Sequence, residues 1–243
     1  MPFALDSQFV LAVAISLAAG LVRGFTGFGS AMLMAPALSA LYTPAVAIPM
    51  ITVMEFFVGL TLLPRAAPVA KWPTVLRLAL AALFGVPLGA LLLVTVPGEI
   101  MRWAISLAIL AAVVLLVLGI GRKREATPAG TYLTGALSGL TSGSVGMGGP
   151  PVVIYYLAGR DPAAEIRASL ICFFIATSVI QNVTYAVNDI LTWDNGLKAL
   201  VLLPSFVLGS FIGARLFTQS REHMYRRVAM GLVAAVAVLS LAV

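Results

Sequence analysis

Long hydrophobic stretches dominate this chain, and polar or turn-forming residues interrupt them at intervals. A helix of roughly 20 residues crosses a hydrocarbon core of about 30 Å. Several of the apolar stretches approach or exceed this length. We therefore predict membrane-spanning helices at residues 45–63, 74–95, 100–120, 164–187, 196–217 and 227–243.

Shorter apolar runs flank two glycine-rich segments, one in each half of the chain. A helix over residues 30–41 would rise only about 18 Å, at 1.5 Å per residue. Each pair of short runs therefore predicts a broken helical hairpin, the first at residues 8–41 and the second at residues 131–158. Such a hairpin is either a re-entrant loop or two short full spans, and the sequence leaves both open.

The composition agrees with a membrane protein. Of 243 residues, 61% are hydrophobic and 10% are charged, and the mean hydropathy is +1.06. This leaves too few polar residues to cover a soluble domain of that size. We predict an all-α, multi-pass protein of the cytoplasmic membrane.

The two halves of the chain resemble each other. GLVRGFTGFGSA from Gly20 aligns without a gap with GLTSGSVGMGGP from Gly139, and GVPLGA from Gly85 aligns with GSFIGA from Gly209. Matches at a nearly constant offset indicate an internal repeat. The predicted division is a first repeat at residues 1–121, a cytoplasmic linker at 122–130 and a second repeat at 131–243.

Charges in the loops predict how the repeats are oriented. RAAPVAKWPTVLR, GRKRE and SREHMYRR are basic and NDILTWDN is acidic, so the first three loops are predicted to be cytoplasmic. The net charge of +6 is thereby explained without nucleic-acid binding. A hairpin returns to the side of the membrane that it left and adds no net crossing. Each repeat then crosses the membrane about three times, which is an odd number, so the second repeat is predicted to be inverted relative to the first. Inverted repeats are typical of alternating-access transporters with a substrate site near the bilayer midplane.

The glycine clusters predict an anion site. A non-helical GFTGFGS or GSVGMGG segment is tolerated inside a membrane only where protein or a wet cavity surrounds it. Helices starting near Ser30 and Gly149 would aim their positive N-termini at the centre of the protein. The candidate substrate-binding residues of the two tips are Gly24, Thr26, Gly27, Phe28, Gly29 and Ser30 in the first and Ser142, Gly143, Ser144, Gly146, Gly148 and Gly149 in the second.

Arg23 strengthens the prediction, because a guanidinium presents paired donors to the oxygens of a carboxylate, sulfonate or sulfite. The alternative is that Arg23 extends to the membrane surface while the glycines serve close helix packing. Its counterpart in the second repeat is Ser142, so only the first repeat would supply an arginine to the anion.

Glu55 is the only carboxylate well inside a predicted span. Ionisable groups at that depth usually mark a transport pathway or a proton relay. Glu55 is therefore a candidate for proton coupling. The alternative is a structural role in which its carboxylate neutralises the charge of Arg23. Gln181 and Asn182 lie in the corresponding span of the second repeat, where they either bind substrate or join helices.

Few residues are available for other chemistry. The chain has one cysteine and one histidine, so the sequence predicts no metal site, no cofactor and no enzymatic activity. Cys172 lies in the apolar run ICFFIATSV and is predicted to pack in the interior.

The paired motifs GLVRGFTGFGSAMLMAP and GLTSGSVGMGGPPVVIYYL resemble those of the sulfite exporter TauE/SafE family, also called the 4-toluene sulfonate uptake permease family. The resemblance covers essentially the whole chain and implies a secondary transporter of sulfite, sulfonates, sulfoacetate or similar small anions. The first motif departs from the family pattern at Ser30 and Ala31, which replace glycines. Two alternatives stay open: a permease for small carboxylates such as lactate or acetate, and an anion channel. The sequence does not determine the coupling ion, the direction of transport or whether the protein forms a homodimer.

Overall fold

A computed structural model describes residues 7–101, 103, 104, 107, 127–159 and 161–218. The regular structure of these residues is helical. The predicted span at 227–243 lies outside the described residues, as do most of the span at 100–120 and residues 122–126 of the linker. The main helices are α1 (Ser7–Thr26), α2 (Ser30–Leu41), α3 (Pro44–Ala66), α4 (Trp72–Thr95), α5 (Pro128–Val145), α6 (Gly149–Ala158), α7 (Ala163–Val187) and α8 (Trp193–Thr218).

Within the described residues, the five helices α1, α3, α4, α7 and α8 are long and apolar enough to cross a membrane. They confirm the prediction of an all-α, multi-pass membrane protein. The predicted spans at 45–63, 74–95, 164–187 and 196–217 correspond to α3, α4, α7 and α8, and each helix extends slightly beyond its predicted bounds. Large side chains such as Phe84 and Leu88 are exposed on α4, as expected for a helix that faces lipid.

The breaks in the two hairpins are shorter than the glycine-rich segments suggested. Helix α1 continues to Thr26 and α5 continues to Val145, so three residues separate the helices in each hairpin. Gly27, Gly29 and Gly146 have φ angles of 82°, 87° and 73°, a conformation that glycine adopts without steric cost. The first hairpin therefore pairs a helix of 20 residues with one of 12, and only the second helix is too short to span.

Close contacts at glycines explain why α1 does not break earlier. A Cβ atom at Gly20 would overlap the carbonyl of Phe206 on α8, and one at Gly209 would overlap the carbonyl of Leu17 on α1. Small residues allow two membrane helices to approach closely. The glycines involved are Gly20, Gly24, Gly209 and Gly213 between α1 and α8, and Gly85, Gly89, Gly135, Gly139 and Gly143 between α4 and α5.

Contacts between loops define the two ends of the molecule. The Nζ atom of Lys71, between α3 and α4, lies 2.8 Å from the carboxylate of Asp161, just before α7. This hydrogen bond raises the pKa of the Lys71 ammonium above its ordinary value. The Nζ atom of Lys198, near the start of α8, lies 5.8 Å from the ring centroid of Tyr42, between α2 and α3. We call these the Lys71 end and the Tyr42 end.

Helices α3 and α7 cross the middle of the protein in opposite directions. Gly59 faces Ile175, and the amide of Asn182 donates to the Thr52 carbonyl at 3.2 Å. Residue numbers therefore rise along one helix while they fall along the other. These two helices form the wall against which both hairpin tips lie.

The glycine contact between α1 and α8 can be tested with two substitutions on the same helix. Gly209→Ala places a methyl group against the Leu17 carbonyl and is expected to lower the unfolding free energy by about 1–3 kcal/mol. The control is Gly196→Ala, because nothing lies within 4 Å of the added methyl group. Thermal unfolding of purified protein measures both, and equal unfolding temperatures would contradict the close approach.

Candidate functional site

A cavity of about 40 Å³ lies where the two hairpin tips meet the middle of α3 and α7. One water molecule needs about 10–15 Å³ on this scale, so the cavity has room for roughly three. The lining residues are Arg23, Gly29, Ser30, Ala31, Met32, Glu55, Ser142, Gly146, Met147, Gly148, Gly149, Phe174, Thr177, Ser178 and Gln181.

Arg23 is held at the cavity wall and is only 2% exposed. Its Nη1 donates to the carbonyl of Gly27 at 3.1 Å, and its Cζ lies 5.0 Å from the ring centroid of Phe174. Nη2 lies 3.1 Å from a carboxylate oxygen of Glu55. This burial excludes the alternative in which Arg23 extends to the membrane surface.

The guanidinium of Arg23 retains hydrogen-bonding capacity. Nε and Nη2 are buried and make no hydrogen bond within the described residues. The contact of Nη2 with Glu55 is close, but the N–H direction does not meet hydrogen-bond geometry. Nη2 is therefore ion-paired with Glu55, and Nε is the charged donor that lacks a partner among the described residues, which costs about 1–3 kcal/mol or more. A small anion in the cavity would remove that cost.

Glu55 already places a carboxylate at the position where an anion is expected. Its side chain is 12% exposed, and one oxygen accepts a hydrogen bond from the hydroxyl of Ser30, the first residue of α2. The other oxygen faces Arg23. The carboxylate therefore lies beside both a guanidinium and a helix N-terminus, which are the groups that favour negative charge.

The two helix ends at the cavity differ in the donors they offer. Neither α2 nor α6 has a side-chain N-cap. In α2 the N–H of Leu33 donates to the Gly29 carbonyl, so the N–H groups of residues 30–32 precede the first helical bond. Helix α6 begins Gly149-Pro150-Pro151, and proline has no N–H. Most main-chain donors therefore come from α2.

Several predicted site residues do not line the cavity. The hydroxyl of Thr26 bonds to main-chain atoms of the first tip, that of Ser144 donates to Leu140, and the amide of Asn182 donates to Thr52. These groups stabilise the breaks and the helix crossing. The predicted residues that lie away from the cavity are Gly24, Thr26, Gly27, Phe28, Gly143, Ser144 and Asn182.

One face of α7 contributes more to the cavity than the sequence predicted. Phe174, Thr177 and Ser178 join the predicted Gln181 in the lining. Their spacing of three and four residues places them on the same side of a helix. The amide of Gln181 donates to the Ser142 carbonyl at 2.7 Å. Helical spacing from Gln181 is the signal that could have identified the other three residues.

These features define a class of protein. Long apolar helices enclose a buried arginine, a partly buried carboxylate and two helix ends, and no three His, Cys, Asp or Glu side chains come together within the described ranges. The fold is that of a multi-pass membrane protein with a polar cavity in its interior. The family model described as Sulfite exporter TauE/SafE matches residues 12–240, and the chain belongs to this family of transporters.

One curated relative gives a more specific comparison. The chain is 26% identical over 220 residues to a protein of Cupriavidus necator described as "Probable sulfite/organosulfonate exporter TauE". The match covers 86% of this chain and 84% of the relative. No solved structure matches the chain.

Removing either member of the Arg23–Glu55 pair is expected to destabilise the protein by about 3–5 kcal/mol, because the other charge is left buried. A double-mutant cycle uses Arg23→Gln and Glu55→Gln. The decrease in unfolding free energy of the double variant should be about 0.5–3 kcal/mol smaller than the sum of the decreases in the two single variants.

The more exposed pair Lys71–Asp161 is the matched control, with Lys71→Gln and Asp161→Asn. Its coupling is expected to be about 0–1 kcal/mol. Reversible unfolding in detergent measures both cycles. Strict additivity for Arg23 and Glu55 would show that the two charges do not support each other.

Proposed function

We propose that this protein is a secondary transporter of a small sulfur-containing anion, such as sulfite or a sulfonate, in the cytoplasmic membrane. The observation that carries the proposal is the buried Arg23 guanidinium, whose Nε and Nη2 make no hydrogen bond in the described part of the chain. The name of the Cupriavidus necator relative supports the same substrate class.

Binding would use the donors already present at the first hairpin. Two oxygens of a sulfite or sulfonate group match the spacing of the guanidinium donors, and a third oxygen can accept from the N–H groups of residues 30–32. The cavity volume of about 40 Å³ suits a small oxyanion group. Phe174, Met32 and Met147 then form the apolar wall beside it.

Glu55 would regulate this binding as a competing anion. While its carboxylate faces Arg23 and Ser30, an entering anion is repelled. When Glu55 takes up a proton, the guanidinium charge is no longer balanced and favours an external anion. Binding of an anion and binding of a proton therefore support each other, which is the requirement for proton-coupled transport.

Movement between the two membrane faces would follow the alternating-access scheme. Helix α1 packs on α8 and α5 packs on α4, so the first helix of each hairpin is joined to the other repeat. Together with the opposite directions of α3 and α7, these contacts support the inverted repeats that such transporters use. A negative-inside potential favours export of an anion that moves without a proton by about 2.3 kcal/mol per charge per 100 mV, whereas a singly charged anion that moves with one proton carries no net charge.

A small carboxylate is the second candidate substrate. The carboxylate of Glu55 already lies against Arg23 and Ser30, so a carboxylate group fits these donors. Lactate or acetate would bind in the same way as a sulfonate, with two oxygens on the guanidinium.

A thermal-shift comparison tests the site and the substrate class together. Sulfite, methanesulfonate and acetate are added to purified wild type and to Arg23→Ala. At about 100 times Kd, a bound anion raises the unfolding free energy by about 2.7 kcal/mol. Wild type should be stabilised by sulfite or methanesulfonate, and Arg23→Ala should not be.

The control is Arg77→Ala, because Arg77 is an exposed arginine on α4. It removes the same charge and should respond to the anion as wild type does. Equal stabilisation of Arg23→Ala and wild type would exclude Arg23 from the site. Stabilisation by acetate alone would favour the carboxylate alternative.

Counterflow in liposomes distinguishes a transporter from an anion channel. Unlabelled anion trapped inside should drive transient accumulation of labelled anion, because an alternating-access carrier exchanges one for the other. A channel gives no accumulation above equilibrium. Arg23→Ala should reduce the initial rate by at least tenfold, which corresponds to about 1.4 kcal/mol of lost binding.

A further inference from the structure

Arg167, near the start of α7, joins three helices outside the cavity. Its Nε donates to the carbonyl of Phe25 at 3.1 Å, and its Nη2 donates to the carbonyl of Gly24 at 2.5 Å. Its Cζ lies 4.3 Å from the ring centroid of Phe217 on α8. The guanidinium therefore holds the last turn of α1 against α7 and α8.

These contacts lie between the cavity and the Lys71 end. Phe174 lines the cavity, and Arg167 precedes it by seven residues on the same helix. At 1.5 Å per residue this is about 10 Å, in the direction of Asp161 and Lys71. The rings of Phe25 and Phe217 meet edge to face at 6.1 Å and add an apolar layer at the same level.

The chemistry of this contact favours a reversible closure. The final carbonyls of a helix lack partners within the helix, and they carry partial negative charge that attracts a cation. Gly27 fits closely, since a Cβ there would lie 3.0 Å from Cγ of Arg167. Arg167 thus joins the first hairpin tip to α7, and its hydrogen bonds to the tip can break without unfolding a helix.

We propose that Arg167 closes the path between the cavity and the Lys71 end, and that this path opens when the guanidinium leaves the carbonyls of Gly24 and Phe25. The inference rests on the alternating access of the proposed function. Gly24 directly follows Arg23, so release of the α1 end also shifts the anion-binding guanidinium. Arg167 is a positioning residue, and it does not contact the substrate.

Cysteine labelling from one side of the membrane tests this inference without any substrate. Cys172 is the single cysteine of the chain, so Cys172→Ser gives a cysteine-free protein. Ser178→Cys then places one thiol at the cavity wall. A membrane-impermeant thiol reagent is applied to oriented vesicles from either face, and the labelling rate is measured with Arg167, Arg167→Ala, Arg167→Lys or Phe217→Leu.

We expect Arg167→Ala to raise labelling from the face of the Lys71 end by at least about tenfold, because the variant removes two hydrogen bonds from a charged donor and the loss of even one typically shifts an equilibrium by that factor. Labelling from the opposite face should fall or stay unchanged. Arg167→Lys should give an intermediate rate, since lysine has a single charged head group. Phe217→Leu keeps the hydrogen bonds and should give a smaller increase.

The control is Arg77→Ala, which removes an exposed arginine from the first turns of α4 near the same end and should leave both rates unchanged. Unaltered labelling in Arg167→Ala would overturn the inference, as would an equal increase from both faces, which indicates general loosening. If Arg167→Ala does not fold, the labelling rates of Arg167→Lys and Phe217→Leu test the inference, and unchanged rates in both would overturn it. Thermal-shift binding at Arg23 tests the proposed function separately, so either conclusion can fail alone.

Discussion

Polar main-chain groups inside a membrane must find partners, and the two hairpins of this protein concentrate that requirement at its centre. Helices α2 and α6 begin there, and α1 ends between the centre and the Lys71 end. Arg167 donates to the last carbonyls of α1, while Glu55 and Ser30 meet beside the first N–H groups of α2. The charged side chains in the interior are therefore explained by the helix ends that they face.

The same constraint links stability to transport. An arginine or aspartate at the centre of a membrane helix costs about 2.5–3.5 kcal/mol on the insertion scale, so Arg23 and Glu55 each need a partner. Their pairing at 3.1 Å provides one. An anion that replaces Glu55 offers Arg23 an equivalent partner, and a proton can then neutralise the displaced carboxylate. In the proposed coupling, Arg23 exchanges the Glu55 carboxylate for the anion while Glu55 gains a proton, so neither group carries an uncompensated charge.

The sequence predicted the main features of the fold, because span length and apolar composition depend on local residues alone. It also predicted the helix starts near Ser30 and Gly149, which the structure confirms, and it singled out Arg23 and Glu55, which line the cavity and whose role in binding stays a prediction. The continuation of α1 through Gly24 could not be predicted, since it depends on contact with α8. Cavity residues of α7 such as Phe174 follow from helical spacing only once Gln181 is known to line the cavity, and which face of α7 turns inward depends on tertiary contacts. The partners of Arg167 lie 142 and 143 positions away in the sequence, where no local pattern indicates them.

The central claim is that an external anion takes the place of the Glu55 carboxylate at Arg23 as Glu55 binds a proton. Proton uptake on anion binding tests it most directly, by titration calorimetry in buffers with different ionisation enthalpies. Methanesulfonate is the ligand, because it keeps a single negative charge over the working pH range. Wild type should take up a proton as it binds the anion, and Glu55→Gln should bind the anion with no proton uptake. Equal proton uptake by the two proteins, or anion binding to wild type without any proton at every pH, would contradict the account.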